Sequence, residues 1–316
     1  MASYTELKER YKALKQAGEQ FAVTTGSAKG RYEARKTAGI AIQSAEAARE
    51  EKIRAEAARE AVMQSLVYAS RIQKSLLPYK NVFSDAFSDY AIVWKPRDIV
   101  SGDIYWLRSF DEGTVLSVCD CTGHGTPGAL LTMLVVSAFG MIVNEETYKD
   151  TAKILQLLDS YLVATLYETP NENPEDMADI RDGCDLAVLY IPKKGDITFS
   201  SANFPVFECD GETVKQHKGQ RIFIGEGKLA AGEEVNVTKL PRNPKCKYYI
   251  SSDGMFDQKG GVKGLPFGYK TFKEIILGRH DESLQAISET VWTTFESYRG
   301  EHPRKDDFEL VSFATK

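Results

Sequence analysis

The chain has 316 residues, 42% of them hydrophobic and 27% charged, and a formal net charge of −5. That length buries a full core and fits one large domain with an appendage, or two modest domains. The acidic balance gives no general electrostatic basis for binding nucleic acid or an anionic membrane, no apolar run approaches the roughly 20 residues of a membrane span, and the odd count of five scattered cysteines argues for a reducing cytoplasm rather than a disulfide framework.

In chain order, an amphipathic helix is predicted over roughly residues 4–23, followed by a flexible break at "TTGSAKG". The next segment, 40–77, has no Gly or Pro, and its "AEAAREEKIRAEAAREAV" is rich in strong helix formers. A heptad fits it. Ala48, Ala55, Val62, Ala69 and Leu76 fall on one position, and Ala58, Ser65 and Ile72 on the other. The seam is mostly alanine at first and larger toward "SLVYASRIQKSLLP", where Pro78 ends the helix. A solvated linker and a dimerising helix fit these residues equally.

From Tyr90 onward strand signals dominate. "YAIVWKP", "GDIYWLRSF", "TVLSVCD", "CDLAVLYI", "DITFSSA", "KYYISSD" and "FELVSFAT" are short, rich in β-formers and bounded by turn residues. Helices are predicted over roughly 127–143, 151–167 and 284–298. The acidic stretch "ETPNENPEDMADIRDG" has no periodicity and reads as a surface excursion. Strands in hairpins with helices grouped between them indicate an α+β fold, not an alternating parallel sheet. The expected division is a helical segment at 1–78 and a globular domain at 79–316.

The strand ends carry the chemistry. In "SGDIYWLRSFDEGTVLSVCDC" a turn centred near Glu112 brings Asp103 and Asp120 to the same open end of a hairpin. "KYYISSDGMFD" puts Asp253 at the exit of an apolar strand, and "RKDDFELVSFAT" puts Asp306 and Asp307 at the start of another. If those two strands run antiparallel, all these positions share one rim. Taken singly, each Asp also fits a turn former or a helix cap. Together, carboxylates this close repel unless a cation lies between them. An all-oxygen set suits Mg²⁺ or Mn²⁺, and such ions serve phosphoester hydrolysis.

Zinc on Cys119, Cys121 and His124 is the weaker reading, because the run supplies at most three ligands and alternation turns Cys119 away from Asp120 into the core. "GHGTPGAL" lacks the Lys-Ser/Thr pair of a phosphate-binding P-loop. His124 could donate to a phosphate, with capping of the following helix preferred. Arg97 could reach a substrate phosphate through its fork of donors, and a surface salt bridge fits it equally.

"SGDIYW", "DCTGHGTPGAL", "SSDGMFDQ" and "KDDFELV", in that order, resemble the metal-dependent PPM-type serine/threonine protein phosphatases, in their bacterial SpoIIE-like branch. The resemblance runs from about Ala69 to the C-terminus. It implies an αββα sandwich of two antiparallel sheets flanked by helices, here preceded by a helical, coiled-coil segment. It also implies two Mn²⁺ or Mg²⁺ ions held by Asp103, Asp120, the Cys121 backbone carbonyl, Asp253 and Asp306. Cys121 stands where the family usually has Gly, and the pair Asp306-Asp307 leaves open which carboxylate binds metal, with Asp306 preferred. The implied reaction is hydrolysis of phosphoserine or phosphothreonine by direct attack of metal-bound water, with no protein nucleophile. The implied substrate is a small phosphorylated signalling protein of the anti-sigma-factor antagonist kind. The heptad seam adds the expectation of a homodimer joined through the N-terminal helix, and the cysteine usage that of a cytoplasmic setting. Two other readings are a catalytically inactive PPM-fold binding module, against which the intact acidic positions count, and a coiled-coil scaffold.

Overall fold

The computed structural model describes residues 28–167 and 182–316, together with Lys12, Ala13 and Gln16 in a preceding helix. The helix expected over 4–23 and nearly all of the acidic excursion therefore lie outside the described residues. Contacts divide the chain into two compact units, Met1–Ser65 and Leu66–Lys316.

Helix α1, Ala28–Leu76, is 49 residues long. Its Ala/Glu/Arg composition favours the helix locally, and i,i+4 pairs such as Lys52–Glu56 add only a little at such exposure. Through Ser65 almost every side chain is exposed, including Val62 at 59%. Only in the last turns do Ser70 and Gln73 become buried.

The second unit is built from two five-stranded antiparallel sheets. One sheet contains β1 (Phe87–Lys95), β6 (Val206–Cys209), β7 (Val214–His217), β9 (Lys247–Ser251) and β12 (Phe308–Thr315), in the order β1-β12-β9-β6-β7. The other contains β2 (Asp103–Phe110), β3 (Gly113–Cys121), β4 (Cys184–Pro192), β5 (Ile197–Ala202) and β8 (Thr238–Leu240), in the order β2-β3-β4-β5-β8. A short helix α2, Lys80–Ala86, leads into β1, and a two-stranded ribbon, β10 (Lys259–Gly260) with β11 (Leu265–Pro266), lies apart from both sheets.

Three apolar clusters define the layers. Tyr105, Leu116, Val118 and Leu189 of one sheet meet Tyr248, Ile250, Val311 and Phe313 of the other, so the sheets pack face to face. On the outer face of the β2–β3 sheet, Trp106, Cys119 and Val188 pack against α3 (Gly125–Ile142) and α4 (Thr151–Leu166), through Val135, Phe139, Leu155 and Leu158. On the outer face of the other sheet, Val93, Tyr249 and Leu310 pack against α6 (Gly268–Gly278) and α7 (Leu284–Arg299), through Phe272, Ile276, Val291 and Phe295. The architecture is the αββα sandwich. With both faces covered, every residue of β12 is buried, which is why "FELVSFAT" reads as a nearly continuous apolar run.

Helix α3 is apolar enough over its 18 residues to cross a membrane by composition alone. Its hydropathy serves the core instead: Leu131, Val135, Ala138 and Phe139 face the sheet. Sequence patterning passed over α6 and strands β6 to β8. Those strands are only three or four residues long, and "VKQH" and "TKL" carry no alternation to detect.

Candidate active site

The hairpin turn occupies Asp111 and Glu112, because Phe110 pairs with Gly113. Asp103 consequently stands directly opposite Asp120, one residue closer in register than a turn centred on Glu112 gives. Strand β4 extends the row, since Asp120 pairs with Asp185. Three carboxylates thus cross the open end of one sheet on the face turned toward the other. Asp185 was missed from sequence. The β2–β3 register follows from a tight turn, whereas β3 and β4 are joined through two helices, so no local count sets their alignment.

The opposite sheet supplies the rest. Asp253 follows β9 and opens the short helix α5, Asp253–Asp257, while Asp306 and Asp307 precede β12. Strands β9 and β12 are antiparallel, with Ser251 opposite Leu310, so exit and entrance do share an edge. Gly254 makes the close approach possible: a Cβ there would sit 2.0 Å from the Asp307 carbonyl and 3.1 Å from the Asp306 Cβ. Across the gap, Ser252 Oγ donates to Asp103 Oδ2 at 2.6 Å and accepts from the Glu309 N–H at 3.3 Å, which ties the sheets together at the site.

Asp306 and Asp307 have separate surroundings. Asp307 is buried, and its two oxygens accept from the backbone N–H groups of Arg97 (2.5 Å) and Gly102 (2.6 Å). Asp306 instead lines a cavity of about 150 Å³ with Asp120, Cys121, Asp185, Asp253 and Phe223. The loop carrying Phe223 is held by Asp159, whose carboxylate accepts from the N–H groups of Gly225, Gly227, Leu229 and Ala230.

The strand bearing Asp103 is fixed from outside as well. Gln73 of α1, 1% exposed, donates to the Ser101 carbonyl (2.6 Å) and to Thr132 Oγ1 (2.8 Å), and accepts from the Ser101 N–H (3.0 Å). Ser101 Oγ accepts from the Asp103 N–H, and Trp94 Nε1 donates to the Asp103 carbonyl. A Cβ on Gly102 would lie 2.5 Å from the Gly123 carbonyl and 3.1 Å from that of Cys121, so the Cys121 carbonyl faces this crowded strand end.

The electrostatics are those of carboxylates crowded together out of water. Burial, then Asp120, pushes Asp103 well above the usual carboxylate range. Burial, then Asp253 and Asp306, does the same to Asp120. Burial raises Asp253, with Asp257 and Asp306 adding to the effect. Asp185 is pushed up to about 6, chiefly by burial, although the Asn203 amide donates to it at 2.8 Å. Asn203 holds that position with φ of 57°, an uncommon conformation for a residue other than glycine. Glu309, 0% exposed, has both carboxyl oxygens without a hydrogen-bond partner.

Among the described residues no group of three or more His, Cys, Asp or Glu side chains is placed, as it stands, to hold a metal ion. The donors that line the cavity are carboxylates and carbonyls, which suit hard divalent cations, and a cation would also satisfy the orphaned Glu309 oxygens.

The other nominated residues have partners of their own. The Arg97 guanidinium is exposed and donates to the Lys305 carbonyl at 2.7 Å. His124 sits at the N-cap position of α3 but makes no side-chain cap, and its Nδ1 pairs with Asp98 at 3.1 Å. The preferred capping role is therefore corrected: the partner acid, four residues before the Gly102 turn, takes the imidazole away from the helix end. The zinc set does not converge. Cys119 and Cys121 are buried in the core beneath α3, with sulfurs 3.8 Å apart, while His124 is exposed.

The family model for Stage II sporulation protein E (SpoIIE) matches residues 111–316. Among solved structures, the SiaA-PP2C domain of Pseudomonas aeruginosa is 30% identical, with a TM-score of 0.73 over 82% of this chain and 99% of that one. The PP2C phosphatase domain of SpoIIE from Bacillus subtilis, solved with a fragment of its regulatory domain, is 18% identical, with a TM-score of 0.56 over 72% of this chain and 62% of that one. The RsbU and RsbW domains of Rv1364c from Mycobacterium tuberculosis share the fold at 14% identity, with a TM-score of 0.55 over 73% of this chain and 61% of that one. No curated protein sequence matches the chain significantly. The chain belongs to the SpoIIE family of PPM-type (PP2C) serine/threonine protein phosphatases. Phosphatases of this family are metal-dependent in general.

Proposed function

We propose that this phosphatase removes phosphate from phosphoserine or phosphothreonine on a small bacterial signalling protein of the antagonist type. The observation that carries the reading is the meeting of Asp120, Asp253 and Asp306, from both sheets, on one open cavity. Two Mn²⁺ or Mg²⁺ ions would be held by Asp103, Asp120, the Cys121 carbonyl, Asp253 and Asp306. When bound, they supply Lewis acidity toward water and the phosphoryl group. Asp120, which feels the charges of Asp253 and Asp306 from the other sheet and stands opposite Asp103, would be the carboxylate shared by the two ions. Ser252 and Ser101 hold Asp103 in position, and Asn203 orients Asp185 at the cavity wall. No side chain acts as a nucleophile: the cysteines nearest the site are buried on the opposite face of β3.

Residues 1–78 form the helical, dimerising segment in this reading and 79–316 the phosphatase domain, working in the cytoplasm. Support for pairing comes from the apolar side chains that α1 exposes, Val62 at 59% and Ile72 at 39%. The test is release of phosphate from phosphorylated candidate partner proteins in Mn²⁺. Chelation should abolish it, Mn²⁺ or Mg²⁺ should restore it, and zinc alone should not. Asp120→Asn and Asp253→Asn should each lower the rate by several orders of magnitude while the fold persists. Full metal-free activity in either variant would refute the assignment.

A further inference from the structure

The proposed ligand set leaves the fully buried Glu309 unused. Glu309 lies in β12 between Phe308 and Leu310, both of which pack toward α6 and α7. Strand alternation turns Glu309 the other way, into the space between the sheets. It lies near enough to Asp103 and Asp120 for their charges to act on one another. One hydroxyl connects them: Ser252 Oγ accepts from the Glu309 N–H and donates to Asp103 Oδ2.

Neither state of this carboxyl is satisfied by the protein alone. Ionised, it is a charge out of water, and among the described residues no Lys, Arg or His pairs with it. Protonated, it still presents a donor and an acceptor with no partners. Buried polar side chains nearly always find partners, so two orphan oxygens beside two further carboxylates indicate that the partner is a cation. Ser252 Oγ gives its proton to Asp103 and Ser251 Oγ gives its own to the Glu309 carbonyl, so neither hydroxyl is left to satisfy the carboxyl.

We propose that Glu309 is an interior ligand of the metal centre, holding from beneath, by direct coordination, the divalent cation that Asp103 and Asp120 hold from the strand ends. This rests on the metal centre of the proposed function. Asp103, Asp120 and Glu309 would then surround the inner ion, and Asp253 and Asp306 with Asp120 the outer one. Asp103 and Glu309 are buried away from water, so the inner ion should bind more tightly than the outer one although each has three carboxylates. The inner ion would join the two sheets, so its loss should loosen the sandwich as well as stop turnover.

The test is Mn²⁺ titration of the full chain by calorimetry and electron paramagnetic resonance. Wild type should show a tight and a weaker site. Glu309→Gln should weaken the tight site at least tenfold, leave the weaker site within twofold, and shrink the rise in Tm that Mn²⁺ produces. With Co²⁺ as probe, the visible absorption of the tight site should change in the same variant, as a ligand replacement requires and a remote packing change does not. Unchanged Mn²⁺ affinities, or an unchanged Co²⁺ spectrum, in Glu309→Gln would overturn the inference while leaving the metal centre standing. A wild-type chain that binds neither Mn²⁺ nor Mg²⁺ would overturn both. Should Glu309→Gln fail to fold by circular dichroism, Glu309→Met, close to it in volume, takes its place with the same expected and refuting results.

Discussion

Replacing Gln73 by Leu tests whether the end of α1 is part of the site's scaffold. Leucine keeps most of the side-chain volume, so the loss is one of hydrogen bonds and not of packing. Ser101 is fully buried, and its N–H and C=O both rely on Gln73. Thr132 Oγ1 retains its bond to the Ala129 carbonyl. Two buried backbone groups left unpaired cost about 1–3 kcal/mol each, so the variant should lose about 2–6 kcal/mol. For a domain of this size that lowers Tm by on the order of 10 °C. The effect should not stop at stability, because Ser101 Oγ receives the Asp103 N–H. Equilibrium unfolding followed by tryptophan emission suits the case, since Trp94 bonds the Asp103 carbonyl. Alongside it, the Mn²⁺ concentration for half-maximal activity should rise. Unfolding within about 0.5 kcal/mol of wild type, the usual effect of a surface change, together with an unchanged Mn²⁺ midpoint, would show that the contact holds nothing in place.

Metal-free protein should become less stable as pH rises from 5 to 7.5. Asp103, Asp120, Asp185 and Asp253 have folded pKa values above their ordinary ones, so the folded state binds more protons than the unfolded state between about 4 and the raised values, and stability falls across that window. Thermal melts in chelator should show the decline and Mn²⁺ should reverse it; an equal or higher Tm at pH 7.5 without metal would contradict the charge assignment. Cys121→Ala should keep most activity, because only its carbonyl is invoked, and elemental analysis of the wild type should find no stoichiometric zinc. Replacing Val62 and Ile72 together by Asp should reduce the dimer fraction in light scattering and alter turnover; unchanged mass with unchanged turnover would make α1 a linker.

The parts of the site legible in the sequence were those set by local counting. A two-residue turn fixes Asp103 against Asp120, and the apolar runs before Asp253 and after Asp307 mark strand ends by themselves. Asp185 needed the β3–β4 register, which depends on how α3 and α4 pack between those strands. Glu309 needed the knowledge that β12 is covered on both faces, since only then does a lone acid in an apolar run become a buried one. Arg97 and His124 sit close in sequence to Asp103 and Asp120, yet each is taken up by another partner, Lys305 and Asp98.

The place of β12 has a consequence for the order in which the enzyme comes into being. It is the last strand described, yet it lies inside its sheet, between β1 and β9. The contacts that frame the site span the domain: Ser252 reaches back 149 residues to Asp103, and Gly102 reaches forward 205 residues to Asp307. Closures that long come late in folding, after the local hairpins. A ribosome-bound chain lacking β12 would have its first hairpin formed, with Asp103 facing Asp120, but neither Asp306 nor the wall behind it. On the proposed ligand set, metal would not nucleate such a fold early, because Asp253 and Asp306 would not yet stand beside Asp103 and Asp120. Hydrolytic competence should therefore appear in one step with the insertion of the final strand, and limited proteolysis that removes 308–316 should abolish it in the same all-or-none way.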